Sequence, residues 1–247
     1  MEGFVDIHVH VLPGVDDGPA TVGDAAAIAS GLRGMGFTCL IATPHARPGL
    51  FDPDDAAVLG ALRTLREALG AAGPRILPGG EHFLDDVVWM RIAEGKARPY
   101  PNGKAILVEI PTAGPAPARL AEQLFRLRVS GLRPVLAHPE RCASLQADRG
   151  LVEELHNAGV AMAMDLTSIT GTAGRAARRA ADDMLGMDMV DVACSDAHSP
   201  HELPGIEKAL ARLRKLCGDA ALDRMLHEAP IRIALGEAAA AGVIGCG

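Results

Sequence analysis

The stretch Phe4-Val5-Asp6-Ile7-His8-Val9-His10 is an apolar, β-like run that ends in two histidines. This pattern predicts a strand that carries potential ligands at its carboxyl end. Other segments with a histidine or a carboxylate, most of them just after such a run, are Asp16-Asp17-Gly18, Thr43-Pro44-His45, Gly80-Glu81, Leu107-Val108-Glu109-Ile110, His138-Pro139-Glu140-Arg141 and Ser195-Asp196-Ala197-His198. Because parallel strands bring their carboxyl ends to one rim of a barrel, these distant segments are expected to converge on one site.

Strand-like and helix-like patterns alternate along the rest of the chain. Further predicted strands are Thr38–Thr43, Arg75–Leu77, Ala105–Ile110, Arg133–His138, Val160–Asp165 and Val190–Ser195. Predicted helices are Thr21–Arg33, Asp52 to about Ala71, Asp85–Glu94, Pro117–Val129, Leu151–Asn157, Ala173–Leu185 and Gly205–Leu216. About seven β–α units favour an α/β fold with a parallel sheet closed into a barrel. A doubly wound open sheet is the alternative, which the lack of G-x-G-x-x-G after the first strand weakens.

Composition limits the classes of protein. A chain of 247 residues with 49% hydrophobic residues suits one domain, predicted over residues 1–247. The net charge of −7, with no block of Lys and Arg, argues against general nucleic-acid binding. No signal-peptide pattern and no apolar run of the roughly 18–20 residues that span a bilayer is found, so a cytoplasmic location is expected.

The cysteines argue against a disulfide framework and against the C-x5-R type of cysteine catalysis. They are odd in number and widely spaced, at Cys39, Cys142, Cys194, Cys217 and Cys246. Buried or incidental thiols are the expected state. No cysteine begins a C-x5-R loop, which is the signature of cysteine-based tyrosine phosphatases. The sequence also has no G-x-x-x-x-G-K-[ST] loop for binding ATP.

The first candidate ligands lie in the first third of the chain. His8 and His10 are two residues apart on a strand and should face the same side, where both imidazoles can chelate one ion. Asp17 precedes Gly18, a pair that also favours an ordinary turn. His45 follows a strand end, where a loop histidine and a ligand are equally good interpretations. Glu81 follows two glycines that permit close backbone approach.

The remaining candidates follow later strands. Glu109 sits in an apolar strand, where an ionised carboxylate needs a partner; a metal ion or a buried salt bridge would serve. His138 ends a strand, and Arg141 in the next loop could clamp phosphate oxygens and stabilise transition-state charge, or be a surface arginine. Asp196 and His198 repeat the spacing of two, and one of them could bind metal while the other binds metal or protonates the leaving group.

Together these residues make nine candidate ligands without a thiolate: His8, His10, Asp17, His45, Glu81, Glu109, His138, Asp196 and His198. Imidazole mixed with carboxylate suits Mn, Fe or Zn. Nine ligands exceed what one ion can use, so two or three ions are expected, with Glu81 as a plausible bridge. Such clusters activate a bridging hydroxide for in-line displacement at phosphorus. Asp165 is a weaker candidate for the rim, and His82 and His201 are candidates for supporting or substrate-binding roles.

The order of these motifs resembles the polymerase and histidinol phosphatase (PHP) superfamily. More closely, D-I-H-x-H-x-L-P-G-x-D-D-G, A-H-P-E-R and S-D-A-H are similar to the bacterial PHP-type protein tyrosine phosphatases that accompany capsular or exopolysaccharide synthesis and oppose bacterial tyrosine kinases. The match runs from His8 to His198. The resemblance implies a distorted (β/α)7-type, TIM-like barrel, three ions, usually Mn²⁺, and a phosphotyrosine protein, in particular a tyrosine kinase, as partner.

The resemblance also implies roles for individual residues. One ion would use His8, His10, Glu81 and Asp196, a second Glu81, Glu109 and His138, and a third Asp17, His45 and His198. Arg141 would contact the substrate phosphate, so Arg141, Asp196 and His198 form the expected catalytic set. An arginine that some relatives carry soon after the last D-x-H is absent from Ser199–Gly205. A PHP phosphoesterase acting on a small molecule such as histidinol phosphate is therefore the alternative, and a non-catalytic binding domain the third.

Overall fold

The computed structural model describes residues 3–236, and its strands form two parallel sheets. The strands are β1 (Phe4–Val9), β2 (Phe37–Ala42), β3 (His45–Ala46), β4 (Arg75–Pro78), β5 (Glu81–Phe83), β6 (Ala105–Glu109), β7 (Arg133–Ala137), β8 (Ala161–Asp165) and β9 (Val192–Cys194). Residues 1–2 and 237–247 lie outside the described part, so the prediction of one domain over residues 1–247 is not tested along its full length.

The two sheets together form seven positions around a barrel. One sheet has the order β1-β2-β4 and the other β3-β5-β6-β7-β8-β9. After a short break, β3 continues the path of β2, and β5 continues that of β4, so nine strands fill seven positions. Just beyond β9, Asp196 N donates to His8 O at 2.9 Å, and His10 N donates to Ala197 O at 3.0 Å. The distorted barrel predicted from the sequence is confirmed.

Eight α-helices in the described residues lie between or after the strands. They are α1 (Val22–Gly34), α2 (Asp55–Leu69), α3 (Asp86–Ala93), α4 (Leu120–Val129), α5 (Ala143–Ala147), α6 (Arg149–Asn157), α7 (Arg175–Gly186) and α8 (Leu203–Asp223). Side-chain oxygens cap several of them; Thr21 accepts from Asp24 N at the start of α1, as the sequence predicts. No helix within residues 3–236 has the length and apolar character needed to cross a bilayer.

The structure corrects some boundaries. Helix α2 begins at Asp55 instead of Asp52, because Asp54 is the N-cap and accepts a hydrogen bond from Ala57 N at 2.8 Å. Helix α8 runs beyond Leu216 to Asp223, with a non-helical Gly218, and two π-helical turns follow at Arg224–Glu228 and Ile231–Leu235. The short strands β3 and β5 escaped prediction, because two or three residues are too few to show an alternating pattern.

The buried side chains form two layers. A large apolar cluster packs the outer faces of the strands against the helices. A second cluster takes alternate residues from successive strands, such as Val135 and Ala137 of β7, and therefore fills the barrel. The turn Ile231–Leu235 adds to this inner cluster, and Tyr100 donates from its hydroxyl to Ile7 O at 2.9 Å. The interior is thus packed, and the free rim at the strand ends is where a site can form.

Candidate metal centre

His8 and His10 point to the same side at the end of β1. Their Nε2 atoms are 3.3 Å apart, and both residues are buried. Nδ1 of His10 lies 2.7 Å from Oδ2 of Asp16, which leaves Nε2 of His10 to face the interior of the cluster. The geometry that the two-residue spacing predicts is therefore present.

Glu81 is the centre of the cluster and is completely buried. Its Oε1 lies 3.3 Å from His8 Nε2 and 3.2 Å from His138 Nε2. Its Oε2 lies 3.3 Å from His10 Nε2 and 2.9 Å from His45 Nδ1, yet takes part in no hydrogen bond of good geometry. A buried carboxylate oxygen that faces several imidazole nitrogens in this way is suited to a cation between them.

Asp17, His45 and His198 gather at the more open side of the cluster. Oδ1 of Asp17 lies 3.4 Å from Nε2 of His45 and 3.6 Å from Nε2 of His198. His198 donates from Nδ1 to the carbonyl of Asp196 at 2.8 Å, which leaves Nε2 as the free nitrogen. The ring of His198 also stacks on that of His10, with centroids 4.0 Å apart. His45 lies within the cluster, which agrees with its interpretation as a ligand.

Glu109 closes the cluster from β6. It is the last residue of that strand, half-buried, and its Oε2 lies 3.7 Å from His45 Nδ1. Burial and the nearby charge of Glu81 raise the pKa of Glu109. No Lys or Arg pairs with Glu109 among the described residues, and His45 is the basic side chain that faces it there.

His138 and Asp196 reach the cluster through left-handed backbone conformations. Their φ angles are 32° and 49°, in a region that residues other than glycine seldom adopt. Each residue comes directly after or shortly after the end of its strand, so the conformation turns the side chain toward the rim. Such strain is concentrated at functional sites, because the surrounding structure must hold it in place.

Arg141 lies in the turn that follows His138 and points back to the cluster. Its Nη1 is 2.7 Å from Oδ2 of Asp196 and 3.7 Å from Oδ2 of Asp165. The side chain is 35% exposed and is therefore partly accessible. Asp165 therefore belongs to the rim, as an anchor for Arg141.

Charges within the cluster shift its pKa values in opposite directions. Burial alone would raise the pKa of Glu81, but His8, His10 and His138 hold it well below its usual value. Burial opposes protonation of His10, while the carboxylates of Asp16 and Glu81 raise its pKa well above normal. The pKa of Asp196 falls to about 2, because the surrounding histidines outweigh its burial. Glu81 and Asp196 are therefore held in the ionised form, in contrast to Glu109, whose pKa is raised.

Three supporting carboxylates were not identified from the sequence. Asp16 holds both His10 and the backbone N–H of His45, at 2.7 and 3.1 Å. Asp6 accepts from Ser195 N, and burial raises its pKa to about 6. Glu202 accepts from His198 N. The adjacent pair Asp16-Asp17 offered a signal, since a ligating histidine commonly needs a second carboxylate on its other nitrogen.

Glu140 is a further buried carboxylate that the sequence reasoning missed. Its Oε1 accepts from Asp165 N at 3.2 Å and from the Ser168 hydroxyl at 2.7 Å. Burial and the neighbouring charge of Asp165 raise the pKa of Glu140 to about 7. Glu140 therefore ties the turn that carries Arg141 to the end of β8.

His82 and His201 have different positions. His82 is buried, donates from Nδ1 to Leu107 O at 2.9 Å and accepts at Nε2 from Arg98 N at 3.1 Å. Both ring nitrogens of His82 are thus occupied, which gives it a structural role beside Glu81. His201 is exposed and lines a neighbouring cavity of about 350 Å³ that shares Arg141, Asp196 and His198 with the cluster.

All nine predicted ligands are brought together, and their donor atoms form four overlapping groups. Within each group the atoms lie within 4.8 Å of one another: His10, Asp17, His45 and His198; His8, His10 and Glu81; His8, His138 and Asp196; and His45, Glu81 and Glu109. The donors are imidazole nitrogens and carboxylate oxygens, so their chemistry fits Mn, Fe or Zn. Glu109 groups with His45 in this geometry, whereas the resemblance paired it with His138.

The groups open into a cavity of about 250 Å³ at the barrel rim. Its lining residues outside the predicted ligand set are Arg47, Leu50, Phe51, Thr112 and Arg141. The seven-position barrel, together with the histidines and carboxylates around the buried Glu81, is typical of metal-binding β/α-barrel proteins.

Comparison with known proteins identifies the family. The chain belongs to the family described as capsular polysaccharide synthesis, CpsB/CapC, whose model matches residues 4–234. Tyrosine-protein phosphatase YwqE of Bacillus subtilis is 31% identical over 199 residues, 79% of this chain and 78% of that protein. Putative tyrosine-protein phosphatase CapC of Staphylococcus aureus is 28% identical over 86% of this chain and 84% of that protein. The resemblance inferred from the motifs is confirmed.

Solved structures agree with this assignment. One similar structure belongs to a set of crystal structures of YwqE from Bacillus subtilis and CpsB from Streptococcus pneumoniae, which are described as unique metal-dependent tyrosine phosphatases. Its TM-score is 0.85 at 28% sequence identity, and the alignment covers 94% of each chain. An organophosphorus hydrolase from Deinococcus radiodurans has a TM-score of 0.58 at 16% identity, covering 94% of this chain and 93% of that one. The second similarity supports the barrel fold alone.

Proposed function

We propose that this chain is a metal-dependent tyrosine-protein phosphatase. The observation that carries the proposal is the convergence of nine histidine and carboxylate side chains around Glu81, in a member of a family whose relatives are tyrosine phosphatases. The proposed ligands are His8, His10, Asp17, His45, Glu81, Glu109, His138, Asp196 and His198. The reaction is hydrolysis of a phosphate monoester.

The bound ions would supply Lewis-acid activation of water and of the phosphoryl oxygens. Arg141 would bind the phosphate with the accessible part of its guanidinium and stabilise the charge that develops on it. Asp196 orients Arg141 through the 2.7 Å contact. His198, with Nδ1 held by the Asp196 carbonyl, presents Nε2 to the cavity, where this one free nitrogen would either bind an ion or, in place of that, carry the proton for the leaving phenolate.

We propose three ions, with Mn²⁺ as the native metal. The four overlapping donor groups supply more donors than one ion can use, and Glu81 appears in two of them, which supports a bridging role. Mixed nitrogen and oxygen donors without a thiolate favour Mn over softer metals that prefer sulfur ligands. Fe and Zn are the competing metals that elemental analysis would separate.

We further propose that the substrate is a phosphotyrosine protein, in particular a bacterial tyrosine kinase of capsule or exopolysaccharide synthesis. The family description and the names of the relatives support this assignment. We propose a cytoplasmic location, which fits the free thiols of Cys39, Cys142, Cys194 and Cys217. One phosphatase domain over residues 1–247 is part of the same proposal.

The test is phosphate release after removal of metal by a chelator and addition of Mn²⁺. A phosphotyrosine peptide, a phosphoserine peptide and histidinol phosphate are compared in parallel, each with and without Mn²⁺. We expect Mn²⁺-dependent release from the phosphotyrosine peptide in preference to the others. Preference for histidinol phosphate would instead indicate a small-molecule phosphoesterase that uses the same site. Phosphate release that is unchanged by the chelator would contradict a metal-dependent reaction.

A further inference from the structure

A short hairpin forms part of the mouth of the metal cavity. Residues 47–51 fold back at an isolated antiparallel bridge between Arg47 and Phe51, in which Arg47 N donates to Phe51 O at 2.6 Å and Phe51 N to Arg47 O at 3.0 Å. Gly49 has a φ of 88° at the tip, which suits glycine. Three of the five lining residues outside the predicted ligand set come from this hairpin. Its side chains therefore face whatever enters the cavity.

Arg47 lies at a defined height above the floor of the cavity. His45 pairs with Glu81 and Ala46 pairs with His82 in the ladder between β3 and β5, and Arg47 is the next residue after this ladder. Its guanidinium carbon lies 3.7 Å from the centre of the Phe83 ring. Phe83 is two residues beyond Glu81, which corresponds to about 7 Å along the strand. The guanidinium thus lies one side-chain repeat above the central carboxylate.

The charge of Arg47 has no counterpart nearby. Within residues 3–236, no carboxylate oxygen lies within 4.0 Å of its side-chain nitrogens, whereas Arg141 in the same cavity contacts two aspartates. Asp17, the most exposed carboxylate of the cavity, faces His45 and His198 instead. A half-buried guanidinium at the mouth of a binding cavity is thus available to an anion on the incoming molecule.

We propose that Arg47 is a specificity-determining residue that pairs with an acidic side chain flanking the phosphotyrosine of the substrate. The inference rests on the proposed phosphatase function. A phosphoryl group held at the level of Glu81 and Arg141 is one repeat below Arg47, so the neighbouring residues of the peptide pass the hairpin. Phe83 covers one face of the guanidinium and restricts its orientation, and Leu50, 61% exposed, adds an apolar contact beside it.

The test compares metal-loaded enzymes on two phosphotyrosine peptides that differ only in their flanking residues, which are acidic in one and basic in the other. The measured quantity is the ratio of the two kcat/KM values, because a general loss of active enzyme cancels from it. We expect the wild-type enzyme to favour the acidic peptide by ~5-fold, as a partly exposed ion pair allows. Arg47→Ala should abolish the preference, Arg47→Lys should keep most of it, and Arg47→Glu should reverse it.

Arg179→Ala is the matched control, since Arg179 is an exposed arginine of α7 that lines none of the cavities described above. It makes the same change in net charge and should leave the ratio at the wild-type value. A ratio that is the same in the wild type and Arg47→Ala would overturn the inference while leaving the phosphatase function intact. A wild-type enzyme that hydrolyses neither peptide would overturn both the proposed function and the inference.

Discussion

Arg141 and Asp196 are joined by a contact of 2.7 Å between Nη1 and Oδ2, while Oδ1 of the same aspartate lies 3.2 Å from His8 Nε2. One carboxylate therefore connects the guanidinium to the cluster of predicted ligands. Because Oδ1 and Oδ2 face different partners, Asp196 can serve an ion and Arg141 at the same time. Removing Arg141 and removing a ligand should consequently have different effects.

Arg141→Ala is expected to lower kcat/KM for a phosphotyrosine peptide by ~10²-fold or more, as loss of a donor that stabilises transition-state charge does. Bound metal, measured by elemental analysis, should stay at the wild-type content, because Arg141 is not a ligand. Arg141→Lys should recover only part of the activity, since an ammonium cannot form the paired hydrogen bonds of the guanidinium. Near-normal turnover of Arg141→Ala would exclude the proposed role.

Metal content should depend on which ligand is replaced. Glu81→Gln is expected to lose more metal per chain than Asp17→Asn, because Glu81 belongs to two donor groups and Asp17 to one. Elemental analysis of both variants after equal loading with Mn²⁺ makes the comparison. Equal metal content in the two variants would argue against a bridging position for Glu81.

Two glycine substitutions should have opposite effects. A Cβ at Gly18 would lie 2.9 Å from His10 O and 3.0 Å from Asp16 Oδ1, so Gly18→Ala should displace the loop and reduce bound metal and activity. Gly60, inside α2, has no atom within 4 Å of an added Cβ. Gly60→Ala should raise the free energy of unfolding by ~0.5–1 kcal/mol in urea titrations. Unchanged metal content in Gly18→Ala would show that the loop can adapt.

His82 should make stability depend on pH. Its burial lowers the pKa to about 4 from 6.5, so between these values the unfolded chain binds a proton that the native state does not. Stability from this residue is present above pH 6.5 and is lost as the pH falls toward 4. Between pH 7 and 5 the free energy of unfolding of the wild type should fall by about 2 kcal/mol more than that of His82→Asn. Urea titrations in identical buffers measure the difference; equal slopes would contradict a neutral His82.

Alkylation of cysteines should leave the reaction intact. Burial raises the pKa of the Cys39 thiol to about 11 and that of the Cys194 thiol well above its usual value, and neither cysteine lines the metal cavity. Treatment of the native enzyme with iodoacetamide should therefore preserve Mn²⁺-dependent phosphate release. Stoichiometric inactivation by a single alkylation would point instead to a cysteine nucleophile.

Much of the site could be predicted from local sequence. The spacing of His8 and His10 fixes their common direction on a strand, and apolar runs placed His138 and Asp196 near strand ends. The seven β–α units followed from the alternation of patterns along the chain. The strands β3 and β5 could not be predicted from this alternation, because they have only two and three residues and their pairing is decided by neighbouring strands.

The sequence by itself determined the order of the units, the residue types of the cluster and the family resemblance, since these depend on local periodicity and motif spacing. Only the tertiary structure decided that Glu81 is the centre, that Asp16 supports His10, and that His82 is structural. It also placed Arg47 over Phe83 at the mouth of the cavity. These relationships join residues through strand register and left-handed turns, and a one-dimensional pattern does not specify which distant side chains will meet.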